Sequence, residues 1–241
     1  FRSQKLIDEI QYHSTKRDPH LPAATYGVNC HIDDRAVFSF CMCPGGIIVP
    51  GSTAPGELVV NGMSVSRRDS KFANSGFVVE ISDLDLLQYE KYGAFAGLQM
   101  QKELERAAFI AGGSNQTAPS QRVTDFIDGK ISSSLPKCSY IPGVVSAPLH
   151  EILPKQISER LRLALFEFEK KLPGYITQDA QMVAAETRTS SPVRITRDRE
   201  TYMHVEIEGL FPSGEGAGYA GGIVSAAIDG ENCADAVSRY L

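Results

Sequence analysis

Nothing in the 241 residues approaches the run of ~20 apolar residues that a membrane-spanning helix requires. The opening Phe1-Arg2-Ser3-Gln4-Lys5 also lacks the apolar centre of a secretion signal. A soluble chain located in the cytoplasm is the expectation. Positive charge is short as well: 24 Lys plus Arg stand against 29 Asp plus Glu, giving a formal charge of -5 at pH 7. Such a chain sets up no global field to draw in nucleic acid, so neither nucleic acid nor a membrane is an expected partner. Cysteines are few and odd in number, Cys30, Cys41, Cys43, Cys138 and Cys233, unlike the dense even sets that staple small secreted domains. Reduced thiols follow. Cys30, His31, Cys41 and Cys43 match no zinc or iron–sulfur spacing, and no metal is expected. The five histidines, His13, His20, His31, His150 and His204, stand apart from any Ser-His-Asp or His-Glu-x-x-His arrangement. There is no internal repeat and no low-complexity segment.

What is present is a globular composition, 42% hydrophobic and 22% charged, with length for one large domain or two small ones. Because the first residue is Phe1 rather than Met, the expectation is a region cut from a longer chain. Leu6, Ile7 and Ile10 predict a short helix before a polar stretch that runs to about residue 35. Short β-branched runs follow at Ala36 to Cys41, Ile47 to Val49, Leu58 to Val60 and Gly76 to Ile81, separated by Gly, Pro and Asn. Met100, Leu104, Ala107, Ala108 and Ala111 predict a helix ending at Gly112-Gly113, and a second helix is predicted from Pro119 to Ile127. From Pro154 to Lys171 the stripe Ile157, Leu161, Ala164, Leu165 and Phe168 predicts a third, with proline in its favourable first turn. Strands are predicted at Met182 to Ala185, Val193 to Ile195 and Tyr202 to Ile207. A terminal helix then carries Ile223, Val224, Ala227, Ile228, Ala234 and Val237 on one side.

Between the last predicted strand and this helix lie Gly214, Glu215, Gly216, Ala217, Gly218, Tyr219, Ala220, Gly221, Gly222 and Ile223. Glycines here permit positive φ and let backbone N–H groups approach a ligand, while the helix start presents partial positive charge. An anionic or electron-rich ligand is the expected occupant, with Glu215 accepting hydrogen bonds from a sugar or ribityl chain. Gly216 to Gly221 also fits G-x-G-x-x-G, but that fingerprint requires a further strand and an acid ~20 positions on, so the dinucleotide reading is set aside. Tight packing at a strand-to-helix corner is the alternative use of so many glycines.

Several separate motifs occur together: Phe40-Cys41-Met42-Cys43-Pro44-Gly45-Gly46, Asn61-Gly62-Met63-Ser64, Arg68-Asp69, Asn74-Ser75, Glu186 to Ile195 and Gly214 to Gly222. In this order they resemble the FAD-dependent, also called NAD(FAD)-utilising, dehydrogenases over nearly the whole chain. The resemblance implies a flavin-dependent oxidoreductase in which an N-terminal Rossmann segment of the same parent chain grips the ADP half of FAD. The present region would be α/β to α+β. Residues 1–181 would form an inserted, β-rich substrate-side domain, with a β unit over about 36–81 and a helical part over about 94–171. Residues 182–241 would form the C-terminal strand-turn-helix of an incomplete Rossmann-like FAD domain, with Gly214 to Gly222 against the ribityl and isoalloxazine end. FAD is the cofactor implied for the intact protein, acting on a small-molecule substrate with NAD(P) as one candidate electron donor or acceptor. This region by itself is expected to be colourless.

Cys41 and Cys43 fall on one face of an extended strand, with Cβ atoms beyond the ~3.8 Å that a disulfide prefers unless the chain bends into Pro44-Gly45-Gly46. They are candidates for a thiol acting beside the flavin, which needs a depressed thiol pKa. Small residues filling a buried strand are the other reading. Asn61, Arg67, Arg68 and Asn74 are candidates to orient a substrate carboxylate or the flavin ring, or else form a salt-bridged loop. Thr189, Ser190 and Ser191, flanked by Arg188 and Arg194, offer donors to flavin carbonyls or a substrate anion; Arg188 is the third catalytic candidate beside the two thiols. Three functions remain open at this stage: a flavoenzyme part, a non-catalytic ligand- or partner-binding domain, and a thiol redox module.

Overall fold

The computed structural model describes residues 1–14 and 16–241 and is an α+β chain. In order it carries β1 (Arg2–Ser3), α1 (Gln4–Tyr12), β2 (Val28–Ile32), β3 (Arg35–Cys43), β4 (Ile47–Pro50), β5 (Val60–Met63), β6 (Phe72–Val79), α2 (Ala96–Ala111), β7 (Ala118–Arg122), α3 (Val123–Asp128), β8 (Val144–Ser146), α4 (Leu149–Ile152), α5 (Lys155–Lys171), β9 (Gln181–Val183) and α6 (Ile223–Tyr240). A 3-10 segment, Asp83–Phe95, leads into α2 through a break at Gly93. Two compact units result: residues Phe1–Ser82 with Glu103–Thr187, and residues Asp83–Lys102 with Arg188–Leu241.

The first unit is organised on an antiparallel sheet of order β1-β6-β3-β2, in register at Cys30↔Val37, Phe38↔Val78 and Arg2↔Ala73. Helix α5 packs on this sheet. It forms because Ile157, Leu161, Ala164, Leu165 and Phe168 recur at three and four and are all buried, with Pro154 as N-cap and two lysines in the last turn. Burial of each large side chain in that stripe stabilises the packing by roughly 1.5–3 kcal/mol. Phe168 meets Phe77 of the sheet at 5.7 Å between ring centres and Tyr175 at 5.5 Å. A two-stranded sheet, β4-β5, and a three-stranded sheet of order β8-β7-β9 complete the unit.

Several predicted elements are displaced. Pro119 to Ile127 is not one helix: Ala118–Arg122 is the central strand of β8-β7-β9, and helix α3 begins only at Val123. Ala118, Pro119, Ser120 and Gln121 are buried on both faces, and pairing with β8 and β9 overrides their local preference. Leu58 and Val59 lie just before β5. They are buried but bonded sideways, the Leu58 N–H to the Glu105 carbonyl at 3.0 Å and the Gly51 N–H to the Val59 carbonyl at 2.8 Å.

The second unit departs furthest from expectation. Val193 to Ile195 and Tyr202 to Ile207 are not strands, so α6 is preceded by irregular chain and the strand of the expected strand-turn-helix is absent. Side chains capture the backbone there. Asp198 Oδ1 accepts from the N–H groups of Glu200 and Thr201 at 2.9 and 2.8 Å, and His204 Nδ1 accepts from those of Glu206 and Ile207 at 3.0 and 3.1 Å. The apolar side of α6 faces outward: Asp229, Cys233 and Ala236 are its buried residues, whereas Ile223 and Val224 are 91% and 72% exposed. No helix among the described residues is long and apolar enough to cross a membrane, and no His, Cys, Asp and Glu group among them could hold a metal ion.

Candidate functional site

The second unit holds the glycine-rich turn on a buried ion pair. Arg197 meets Asp229 of α6 through two hydrogen bonds, Nη2 to Oδ1 at 2.6 Å and Nη1 to Oδ2 at 3.0 Å, with side-chain exposures of 8% and 11%. Arg197 Nη1 also donates to the Pro212 carbonyl at 2.7 Å, and its guanidinium lies 3.7 Å from the centre of the Tyr219 ring and 4.5 Å from that of Tyr202. Asp229 Oδ2 accepts the Gly214 N–H at 2.8 Å, so the first glycine of the turn is tied to α6. The Arg197 guanidinium holds the Asp229 carboxyl below the usual aspartate range, with the Gly214 N–H adding to the effect.

Around this anchor the turn closes on itself and on residues 191–195. The Gly218 N–H donates to the Glu215 carbonyl at 2.9 Å and the Tyr219 N–H to the Gly214 carbonyl at 3.0 Å. Ser191 Oγ donates to the Gly216 carbonyl at 3.3 Å, Arg194 Nε to the Gly218 carbonyl at 3.0 Å and Tyr219 Oη to the Ile195 carbonyl at 2.9 Å. Ser191 and Arg194 thus bond to the turn's own backbone, and Arg188, Thr189 and Ser190 lie just before them in the chain.

The glycines divide in two. Gly218, at φ +83, packs against residues 193 and 194: a methyl group there would lie 2.9 Å from the Val193 carbonyl oxygen and 3.0 Å from the Arg194 Cα. Gly216 and Gly221, by contrast, have no atom within 4 Å of where a methyl group would stand, and Gly214 and Gly222 meet only Ala226 Cβ at 4.0 Å and Ser225 Oγ at 3.8 Å. Gly222 is the N-cap of α6 and supplies no side-chain bond, so the first N–H groups of the helix lack intrahelical partners beside open glycines. Those uncapped amides and the unfilled space over Gly216 and Gly221 fit an anionic or hydroxyl-bearing group.

In the first unit, Cys41, Cys43 and Asn74 come together where β3 breaks register against β6. Cys41 is not in regular strand conformation: its φ is +48, and the register shift between Phe40 and Cys43 overturns the expectation of two thiols on one extended face. A methyl group at Gly62 would overlap Asn74 Oδ1 and lie 3.3 Å from Cys43 Sγ, so any larger residue there displaces the Asn74 side chain. Asn74 is buried and donates to the Ile47 carbonyl at 3.2 Å. Asn61, Arg67 and Arg68 are exposed, and Arg68, at φ +49, turns its carbonyl against Gly45. All five cysteines are free; burial, then Glu186 and Cys43, push the Cys41 thiol up. This is the reverse of what a resident thiolate needs.

Sequence reasoning missed three residues as site residues: Arg197, Asp229 and Glu186. An ionised Asp229 between Ile228 and Gly230 on an apolar helix was the available signal for one; its partner, 32 positions away, left none. Glu186 Oε2 lies 3.1 Å from where a Gly76 methyl group would stand, opposite Phe40, and burial raises its carboxyl pKa. A raised carboxyl binds its proton more tightly when folded, so its contribution is full below the ordinary glutamate value and is lost as pH rises through the folded value. Glu186→Gln is expected to remove that part of the decline in melting temperature above pH ~4.3. An unchanged slope in a pH series of thermal melts would count against the assignment.

The geometry defines an α+β protein with an open, uncapped helix start pinned by an ion pair. Residues 2–189 match the family model described as FAD-dependent protein, C-terminal domain-like, and the chain belongs to that family. It is 41% identical over 236 residues to a protein of Clostridium beijerinckii (strain ATCC 51743 / NCIMB 8052) described as an uncharacterized protein. That alignment takes in 96% of this chain and 44% of the relative, so the chain spans less than half the length of the relative. The family match ends at Thr189, while the alignment with the relative runs on over the glycine-rich turn.

Proposed function

We propose that this chain is the C-terminal part of a cytoplasmic FAD-dependent oxidoreductase of the dehydrogenase type. Gly214 to Ile223 would hold the ribityl and isoalloxazine end of FAD, and an N-terminal Rossmann segment of the same parent protein would hold its phosphates. The observation that carries the reading is the uncapped start of α6 beside exposed Gly216 and Gly221, where a methyl group would meet no atom within 4 Å, while Gly218 packs on residues 193 and 194 and Asp229 ties down Gly214. FAD held at Gly214 to Ile223 would supply hydride-transfer chemistry toward a small-molecule substrate or a nicotinamide. The N–H groups at the start of α6 stabilise negative charge beside them, and Glu215 accepts from a hydroxyl of the ribityl chain. The first unit would supply the substrate-side domain.

The open and packed glycines provide the test. In the full-length protein, Gly221→Val is expected to weaken FAD binding at least ~10-fold, the effect of ~1.4 kcal/mol, with the apo melting temperature unchanged. Flavin titration followed by fluorescence measures the affinity. Unaltered affinity in that variant would remove the turn from the cofactor site.

A further inference from the structure

In the first unit, Arg2 of β1 is a buried cation that no carboxylate meets. The residue is 4% exposed, and its Nε and Nη1 lie away from solvent with no hydrogen-bond acceptor. Among the described residues it forms no ion pair. Asp8, the buried acid of α1, is committed elsewhere: Oδ1 accepts from Gln4 Nε2 and from the Ala24 N–H, both at 3.0 Å, and Oδ2 faces Arg17 at 3.5 Å. The Arg2 guanidinium lies 4.3 Å from the centre of the Tyr175 ring, and burial pushes that phenol up, so it stays neutral. An arginine keeps its charge in any protein, and one ring recovers only part of the cost of burying it. The folded chain thus supplies the cation of a buried pair and no anion to match it.

The groups around it suit an anion. Arg2 is in register with Ala73, and Ser39 with Phe77, so Arg2, Ser75 and Ser39 project from one face of the sheet. On that face four hydroxyls run in a chain: Tyr175 Oη donates to Ser39 Oγ at 2.8 Å, Ser39 Oγ lies 2.9 Å from Ser75 Oγ, and Ser75 Oγ lies 3.0 Å from Tyr26 Oη. Four O–H donors share three hydrogen bonds, which leaves one proton over for a further acceptor. Ser75 and Tyr26, at the outer end of the chain, are half-buried. Nε and Nη1 of Arg2 lie on different edges of the guanidinium, and Nη2 completes either edge as a two-pronged match to a carboxylate. We propose that this face of the sheet is an anion subsite in which Arg2 binds the carboxylate of a small acid; on the flavoprotein reading above, on which this last step rests, that acid is the substrate, and the substrate class is carboxylic acids.

The test is the binding of acetate to the full-length protein, followed by the line width of the acetate methyl signal in proton NMR titrations. Wild type and Arg106→Met, which alters an exposed arginine of α2, are expected to bind acetate equally, and Arg2→Met at least ~10-fold more weakly. Melting temperature provides the readout that a merely structural arginine would move the other way. Removing an unpaired buried charge does not destabilise, so Arg2→Met without acetate is expected to melt at or above the wild-type temperature. A lower melting temperature in that variant would show that Arg2 already has its partner in the parent protein, and would overturn the proposal. So would a wild type that binds no acetate, equal binding by Arg2→Met, or displacement of acetate by an equal concentration of chloride, the mark of general anion capture. Flavin content of the same samples separates the two ideas: acetate held through Arg2 in a protein that takes up no flavin defeats the cofactor reading alone, and a flavin-loaded protein that binds no acetate defeats the anion subsite alone.

Discussion

Arg197→Ala is expected to destabilise the second unit by about 3 kcal/mol or more, the effect of leaving one charge of a buried pair without its partner. The loss is large because Arg197 does three things at once. It neutralises Asp229, donates to the Pro212 carbonyl and lies between Tyr219 and Tyr202. Lysine cannot reproduce the two-pronged contact, so Arg197→Lys recovers little, whereas Arg197→Met with Asp229→Leu recovers most by removing both charges. Urea titrations followed by circular dichroism measure these differences; an Arg197→Ala midpoint equal to wild type would refute the anchoring role. The pair also fixes an acid limit. Asp229 has a folded pKa below its unfolded value, so its contribution is complete above the ordinary aspartate pKa of ~3.9 and disappears as pH falls through the lower, folded value. Asp229→Asn removes this acid-side slope and lowers stability at neutral pH.

The second large effect is expected at Gly45, where the loop after β3 locks against its neighbours. Gly45 has φ +55; its N–H donates to Gln4 Oε1 at 2.9 Å and its carbonyl accepts the Ser70 N–H at 3.1 Å. A methyl group would overlap the Arg68 carbonyl. Gly45→Ala therefore combines the strain of a left-handed backbone with a clash against main chain, and the expected cost is on the order of 3 kcal/mol. At ~2–4 °C per kcal/mol for a chain of this size, the melting temperature falls by roughly 6–12 °C. Gly56, at φ +75 with no atom within 4 Å of a methyl group, separates the two terms: Gly56→Ala bears only the conformational cost, ~1–2 kcal/mol. Equal losses at the two positions would show that the packing of Gly45 on Arg68 contributes nothing.

Local pattern made part of this molecule legible. The stripe from Ile157 to Phe168 needs no knowledge of its partners to read as a buried helix face, and the structure buries all five of its residues. The β-branched runs at 36–41 and 47–49 were legible for the same reason. Pro119 to Ile127 misled because its strand exists only through pairing with Val144–Ser146 on one side and Gln181–Val183 on the other. On α6 the apolar side is the exposed one and Asp229 and Cys233 face inward, because a distant arginine satisfies the carboxylate. The glycine cluster drew attention to the turn, but its division into open and packed positions depends on the path of residues 191–195.

The central claim is that the start of α6 and its open glycines form one wall of a flavin site in the full-length protein. An absorbance spectrum of that protein from the near-ultraviolet to the blue, recorded after reconstitution with FAD and removal of free cofactor, is its most direct test. The account predicts the two-band spectrum of bound flavin at close to one equivalent per chain. A reconstituted protein that stays colourless would contradict it.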